Sequence, residues 1–365
     1  MKEKIKKDRR IIFYSFLSLS FFGLLMIYES SSIYALGNFS DPAYFFKRQI
    51  VFLLVSILAF FLTLLIDVGF LKKYNKEMML VTIIGLILVV IFGKKVSGAK
   101  RWFSFGGINF QPSELLKISF LIYCADYCQR KKALLKSVRS GLFPLGIVLA
   151  SICFLVILQP DLGTAVFWLM WTIIFLFLFR ARIKHLIFTI LCGAFVSFFL
   201  VRFHPYRLRR ITSYLNPFAD PKGAGFQLIQ SQIAYGAGGI FGLGLGQGRQ
   251  KLFFLPAAHT DFLFSIIAEE FGLIGSMGLL AVFIFIFHKM YFLAKTINDE
   301  FKSAIAWGIV FIFFLEVFIN IGISCGLFPT KGLPLPFMSY GGSSLVFHYI
   351  LLGLFMNVSR KEKKA

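Results

Sequence analysis

The chain has 365 residues, 58% of them hydrophobic, with 48 phenylalanines and a mean hydropathy of +0.79. Apolar runs of roughly 17–25 residues recur; they are long enough to cross a bilayer as helices, and their continuity argues against the alternating pattern of a β-barrel. The net charge of +22 lies mostly in the short segments between runs, so it reads as membrane orientation rather than nucleic-acid binding.

Ten spans are expected, at 11–28, 49–66, 78–93, 113–128, 142–158, 162–179, 186–203, 262–287, 303–323 and 342–358. They form one all-α polytopic membrane domain over 11–358, with a basic N-terminus (1–10) before it and a basic tail (359–365) after it. No small-residue cleavage site follows the first run, which therefore reads as a retained span. An even number of spans puts both termini on one side, and 24 of the 39 basic residues then fall on that side, making it cytoplasmic. Five scattered cysteines, Cys124, Cys128, Cys153, Cys192 and Cys325, suggest neither a disulfide framework nor a metal site.

Fourteen basic residues remain on the outer side, where the orientation rule does not explain them. They include Lys94, Lys95, Lys100 and Arg101 before the fourth span, and Arg202, Arg207, Arg209 and Arg210 at the start of the long outer loop, 204–261. Lys222, Arg249 and Lys251 follow within it, and Lys331 precedes the last span. Solubility and headgroup contact are one reading; a phosphate or diphosphate ligand is the other. The glycine-rich stretch 236–248 lacks a P-loop pattern and reads as a re-entrant or surface-lying segment. Before it, 227–235 suits a short amphipathic helix on the membrane surface.

Three spans that start outside open on an acid: Gln111-Pro-Ser-Glu114, Gln159-Pro-Asp161 and His259-Thr-Asp261. Each acid suits a helix cap, with Pro112 and Pro160 at the first helical position. Capping is a sufficient reason for all three; the alternative is an ionised group beside an anion site. Lys117 is three residues from Glu114 and is expected either to pair with it or to line a pocket. Asp261, Ser265, Glu269, Gly272 and Ser276 make one polar stripe on the eighth span, with Glu270 off it, and Glu316 in the ninth span needs a partner. The apolar last outer loop, 326–344, holds three prolines and four glycines and must be buried in protein or line a cavity. Its Ser339, Ser343 and Ser344 are candidate phosphate donors. The remaining histidines, His185, His204, His288 and His348, carry no ligand spacing.

Five blocks carry a resemblance: Gly98-Ala-Lys-Arg-Trp-Phe103, Gln111-Pro-Ser-Glu-Leu-Leu-Lys117, Gln159-Pro-Asp-Leu-Gly-Thr164, Leu255-Pro-Ala-Ala-His-Thr-Asp-Phe262 and Pro329 to Ser344. In order and spacing they resemble the signature blocks of the SEDS family (shape, elongation, division and sporulation proteins), from the first span to the last. Gly246-Gln-Gly-Arg-Gln-Lys-Leu252, Ala257-Ala258, Ser265-Ile-Ile267 and Pro329-Thr-Lys-Gly332 look more like the division members than the elongation members, and the sporulation members share much of this.

The resemblance implies a peptidoglycan glycosyltransferase of the bacterial inner membrane, at the division septum. It would polymerise lipid II onto a growing glycan strand beside a cognate class B penicillin-binding protein and other division proteins. It implies Asp261 as the essential acid, acting as general base. Lys100, Arg101, Glu114, Lys117, Asp161, His259, Lys331, Ser339 and Ser343 are the expected substrate-binding set, with Lys100 and Arg101 foremost for the leaving diphosphate. A divalent cation, Mg²⁺ or Mn²⁺, is an expected helper, although no metal cage is visible in the sequence. The competing readings are a lipid II flippase and a non-catalytic division scaffold.

Overall fold

The structure is a computed structural model that describes residues 2–96, 99–105, 108–223, 225–252, 255–256 and 258–360. Gly98 and Ala257 of the blocks above, and Lys361, Lys363 and Lys364 of the tail, lie outside the described residues.

Ten helices occupy the ten expected spans. They are α1 (Lys2–Phe39), α2 (Tyr44–Thr63), α4 (Asn75–Phe92), α5 (Leu116–Arg130), α6 (Phe143–Leu158), α7 (Leu162–Leu178), α8 (Ile183–Arg202), α11 (Leu263–Lys295), α12 (Glu300–Ser324) and α13 (Gly342–Val358). Three shorter helices are α3 (Val68–Lys73), α9 (Pro205–Leu215) and α10 (Phe226–Gly238). Among the described residues, seven helices are long and apolar enough to cross a membrane, and α7 and α13 are shorter apolar helices. The chain is an all-α polytopic membrane protein with its long outer loop between the seventh and eighth spans. Asp67, Asp161 and Asp299 cap α3, α7 and α12 through their side chains.

Helix α12 is the centre of the bundle, packed by α5, α7, α11 and α13. Trp171 of α7 donates its indole N–H to the Gly308 carbonyl of α12 at 3.0 Å. A Cβ at Gly308 would lie 2.1 Å from Leu121 of α5, so glycine permits this close approach. By contrast, α8 buries only Leu186 and leaves most of its apolar surface facing outward, as a lipid-exposed helix does.

The segment before α5 forms a small antiparallel meander that the sequence reading did not anticipate: β1 (Lys94–Val96), β2 (Ala99–Phe105) and β3 (Ile108–Phe110). Two of its strands have three residues, too short for period-2 patterning to be visible. The amphipathic helix α9 was likewise unanticipated. Helix α10 covers the expected 227–235, with its Leu228, Ile229, Ser231 and Ala234 buried and its main packing on α11, with further contact to α12.

The glycine-rich stretch has a specific structural task. Helix α11 breaks at Gly272 (φ 65°, ψ −162°). The backbone after α10 is spliced into the break. Leu273 and Ile274 donate to the Gly239 and Ile240 carbonyls at 2.9 and 3.2 Å, while Leu243 and Gly244 donate to the Glu269 and Glu270 carbonyls at 3.0 Å each. Backbone groups freed within a membrane helix must be satisfied inside the protein, and this loop satisfies them. Gly239, Gly242 and Gly244 adopt positive φ to make the turn. The polar stripe is absorbed by the same region. Glu269 accepts from the Arg249 and Gln250 amides, Glu270 pairs with Lys251 at 2.8 Å, and Ser265 meets Ser231 at 2.7 Å. Glu270, expected off the stripe, is thus buried and paired.

Gly272→Ala is expected to lower the melting temperature of the purified protein in detergent. Its Cβ would lie 2.3 Å from the Gly242 nitrogen, and positive φ adds about 1–3 kcal/mol of strain. Gly278→Ala, with nothing within 4 Å of the added carbon, should change stability by no more than about 1 kcal/mol.

Candidate active site

The outer ends of the helices surround a cavity of about 800 Å³. Its wall includes Arg101 of β2, Ser113, Glu114 and Lys117 at the start of α5, Asp161 and Thr164 at the start of α7, and Gly342, Ser343 and Ser344 at the start of α13. Three helix N-termini therefore face one space, a favourable setting for an anion. Lys251, Leu255, His259, Asp261, Gly332 and Tyr340 complete the sides, and Glu316 of α12 lies in the floor.

The three helix-opening acids separate into three different roles. Asp161 is the cap: it accepts from the Thr164 amide at 3.1 Å and from the Thr164 hydroxyl at 2.9 Å. Pro160 consequently precedes the cap rather than occupying the first helical position. Glu114 makes no cap and pairs with Lys117 at 2.8 Å. Asp261 is not a cap either, because α11 begins after Phe262 with no side-chain cap bond. Its carboxylate has no helix-terminal duty and faces the cavity.

The surroundings of Asp261 set its chemistry. Enclosure by the cavity walls raises its pKa from 3.8 to about 6, against the opposing pull of Arg210, Arg101 and Lys331. A side chain at 332 would place Cβ 2.8 Å from Asp261 Oδ2, so Gly332 keeps one side of the carboxylate open. The loop carrying Asp261 is clamped from two directions. Asn320 of α12 donates its Nδ2 to the Asp261 carbonyl at 3.0 Å and to the Leu333 carbonyl at 2.6 Å, and the Tyr340 amide donates to the His259 carbonyl at 2.9 Å. The His259 ring packs among Tyr34, Phe45 and Tyr340, and burial lowers its pKa to about 4, so it stays neutral near pH 7.

The last outer loop is buried in protein from Leu335 to Ser339, while 326–334 is only partly covered. Arg210 donates to the Thr330 carbonyl at 3.2 Å, Tyr214 to Leu327 at 2.8 Å and Gln49 to Ser339 at 3.3 Å. Phe337 sits at φ 64°, uncommon for a bulky residue, and stacks on Phe16 at 4.1 Å between centroids.

The expected substrate-binding residues divide. Arg101 lines the cavity, donating to the Gln159 and Pro160 carbonyls, with Nη1 3.6 Å from Asp161. Lys100 does not line it: its amine reaches instead to the Ile91 carbonyl, donating at 3.2 Å. Lys331 runs against Gly163, and its Nζ is buried without a hydrogen-bond partner among the described residues. Burial lowers its pKa to about 8 despite Asp161 nearby. Ser343 lines the cavity and donates to the Asn109 carbonyl at 2.7 Å. Ser339 does not; its hydroxyl is spent on the Leu335 amide within the loop.

The floor holds a buried charge network. Lys117 lies 2.8 Å from Glu114 and 2.7 Å from Glu316, and His348 Nε2 is 2.7 Å from the other Glu316 oxygen. His348 has no sequence neighbour of ligand type, so the sequence reading passed over it. Asn320 was missed because its partners are backbone carbonyls, and the Lys251 partners Glu29 and Glu270 because they lie 222 and 19 residues away in sequence.

Lys117→Met would leave Glu114 and Glu316 without their shared cation, a cost of about 3–5 kcal/mol seen as a lower melting temperature in detergent. Adding Glu316→Gln in the same chain is expected to recover part of that loss, since the two residues are coupled.

Comparison with known proteins matches this chain, over residues 9–364, to the FtsW/RodA/SpoVE family model described as "Cell cycle protein". A "Probable peptidoglycan glycosyltransferase FtsW" of Trichlorobacter lovleyi is 40% identical over all of this chain and 98% of its own length. The "Stage V sporulation protein E" of Bacillus subtilis is also 40% identical, over 99% of each chain. A chain from a structure described as "Structural coordination of polymerization and crosslinking by a peptidoglycan synthase complex" is similar, with a TM-score of 0.77 at 29% identity over 95% of this chain and 96% of that one. The crystal structure of Thermus thermophilus RodA shares the fold, with a TM-score of 0.69 at 24% identity over 95% of each chain. With its sequence matched almost from end to end, the chain belongs to the FtsW/RodA/SpoVE family of cell cycle proteins.

Proposed function

We propose that this chain is a peptidoglycan glycosyltransferase that polymerises lipid II, with Asp261 as its general base. The single observation that carries the reading is Asp261 itself: a carboxylate relieved of capping, held with a pKa of about 6, and facing a cavity ringed by helix N-termini and cations.

Asp261 takes the proton from the GlcNAc 4-hydroxyl of the acceptor lipid II. The oxygen forms a bond to C1 of the donor MurNAc, and the bond from C1 to the diphosphate oxygen breaks with its electron pair. Configuration inverts from α to β. Undecaprenyl diphosphate leaves as an anion and needs no proton, so one base suffices; Asp261 then returns its proton to water. A base poised near the working pH suits this step. Arg101, Arg210 and Lys331, whose fields already reach Asp261, supply positive charge for the leaving group, aided by the start of α13. No group of three or more metal-ligating side chains occurs among the described residues, so a divalent helper ion would be held by a cavity carboxylate together with the substrate's phosphates rather than by a protein cage.

Both termini are assigned to the cytoplasmic face. The electrostatic influence of Arg360 on Arg9 and the excess of basic residues on that face support this assignment. FtsW-named relatives support a role in septal wall synthesis. The similarity to a chain of a synthase complex supports a crosslinking partner, in the form of a class B penicillin-binding protein.

With purified lipid II, full-length protein and its partner, Asp261→Asn should lower glycan synthesis by about 100- to 10,000-fold. Its melting temperature should hold or rise, because a carboxylate whose folded pKa is raised costs the fold stability above pH 6. Normal polymerisation by this variant would overturn the assignment. Arg101→Ala is expected to cost about 100-fold in kcat and Lys100→Ala less than about twofold, given where the two side chains point.

A further inference from the structure

Apart from the cavity described above, an open and mostly apolar groove of about 660 Å³ runs between α1 and α11. The Asp8–Lys289 ion pair, at 2.9 Å, fixes the register of these two antiparallel helices at their inner ends. The groove begins at Lys7 and Arg10, passes Ser18, and ends at Phe22 and Gly275. Phe22 packs edge-on against Phe271 of α11 at 5.7 Å and closes the upper end.

The fifteen helical steps from Lys7 to Phe22 span about 22 Å, at 1.5 Å per residue. Half of a hydrocarbon core of about 30 Å, plus a headgroup layer, has that depth. The groove is therefore one leaflet deep. A partner's membrane-spanning helix needs an apolar track through both leaflets, and this one stops at the Phe22–Phe271 contact.

The inner mouth is cationic. Lys7 and Arg10 are exposed and show no ion pair or hydrogen bond among the described residues, whereas Lys289 beside them is taken by Asp8. Arg9 and Arg360 stand close together at the same end and add positive potential. Two uncommitted cations at headgroup level above an apolar slot fit a ligand with an anionic head and a hydrocarbon tail.

We propose that this groove binds an anionic phospholipid of the inner leaflet, its acyl chain between α1 and α11 and its phosphate on Lys7 and Arg10. The assignment depends on the membrane fold and not on the glycosyltransferase reading, so either can fail alone.

Native mass spectrometry of the full chain in detergent, titrated with phosphatidylglycerol or phosphatidylcholine, tests it. Wild type should retain one phosphatidylglycerol about tenfold more tightly than phosphatidylcholine. The double variant Lys7→Ala/Arg10→Ala should lose that preference, and Ser18→Phe, which fills the slot, should weaken both lipids. Unchanged melting temperatures establish that the variants are folded. Equal retention of the two lipids by wild type, or an undiminished preference in the double variant, overturns the proposal. So does full binding in Ser18→Phe, which would put the lipid on the surface instead of in the groove.

Discussion

A ladder of polar side chains on α12 organises this structure. Glu316, Asn320 and Ser324 are one turn apart, all buried, on the helix at the centre of the bundle. At such depth a polar group without a partner is expensive, so each rung fixes something to the helix. Glu316 holds Lys117 of α5 and His348 of α13. Asn320 holds the backbone of Asp261 and of Leu333. The Ser324 carbonyl accepts from Ser231 and its hydroxyl meets Tyr235 at 2.8 Å, which anchors α10. Cavity floor, the Asp261 loop and the covering helix are thus referred to one rigid element.

The broken helix α11 shows the same constraint from the backbone side. Its short outer half starts just after Asp261 and ends at Gly272. The glycine-rich loop repairs the break, and Glu269 and Glu270 tie down the residues that follow that loop. The orientation of the outer half, and so of the Asp261 loop that enters it, rests on this splice. A preorganised carboxylate needs such support, because a misplacement of about 1 Å can cost two orders of magnitude in rate.

Much of this was legible in the sequence. The ten spans followed from apolar runs, the Glu114–Lys117 pair from spacing, and the burial of 335–339 within the last outer loop from the demand that irregular apolar backbone be covered. What stayed hidden depends on long-range partners or on backbone acceptors. Lys100 and Arg101 are adjacent in the chain, and only the folded structure reveals that Arg101 lines the cavity while Lys100 is taken up by the Ile91 carbonyl. Three acids in similar helix-opening positions looked alike, yet one caps, one pairs and one is left to the cavity. Ser339 looked like a donor and is spent inside its own loop.

The account stands on Asp261 acting as an ionisable base in a cavity that raises its pKa. The most direct measurement is the pH dependence of kcat/KM for lipid II polymerisation by the wild-type protein. Since the base must be ionised, the rate should rise about tenfold per pH unit below the pKa of about 6 and level off above it. A profile that is flat from pH 5 to 7 would contradict the account.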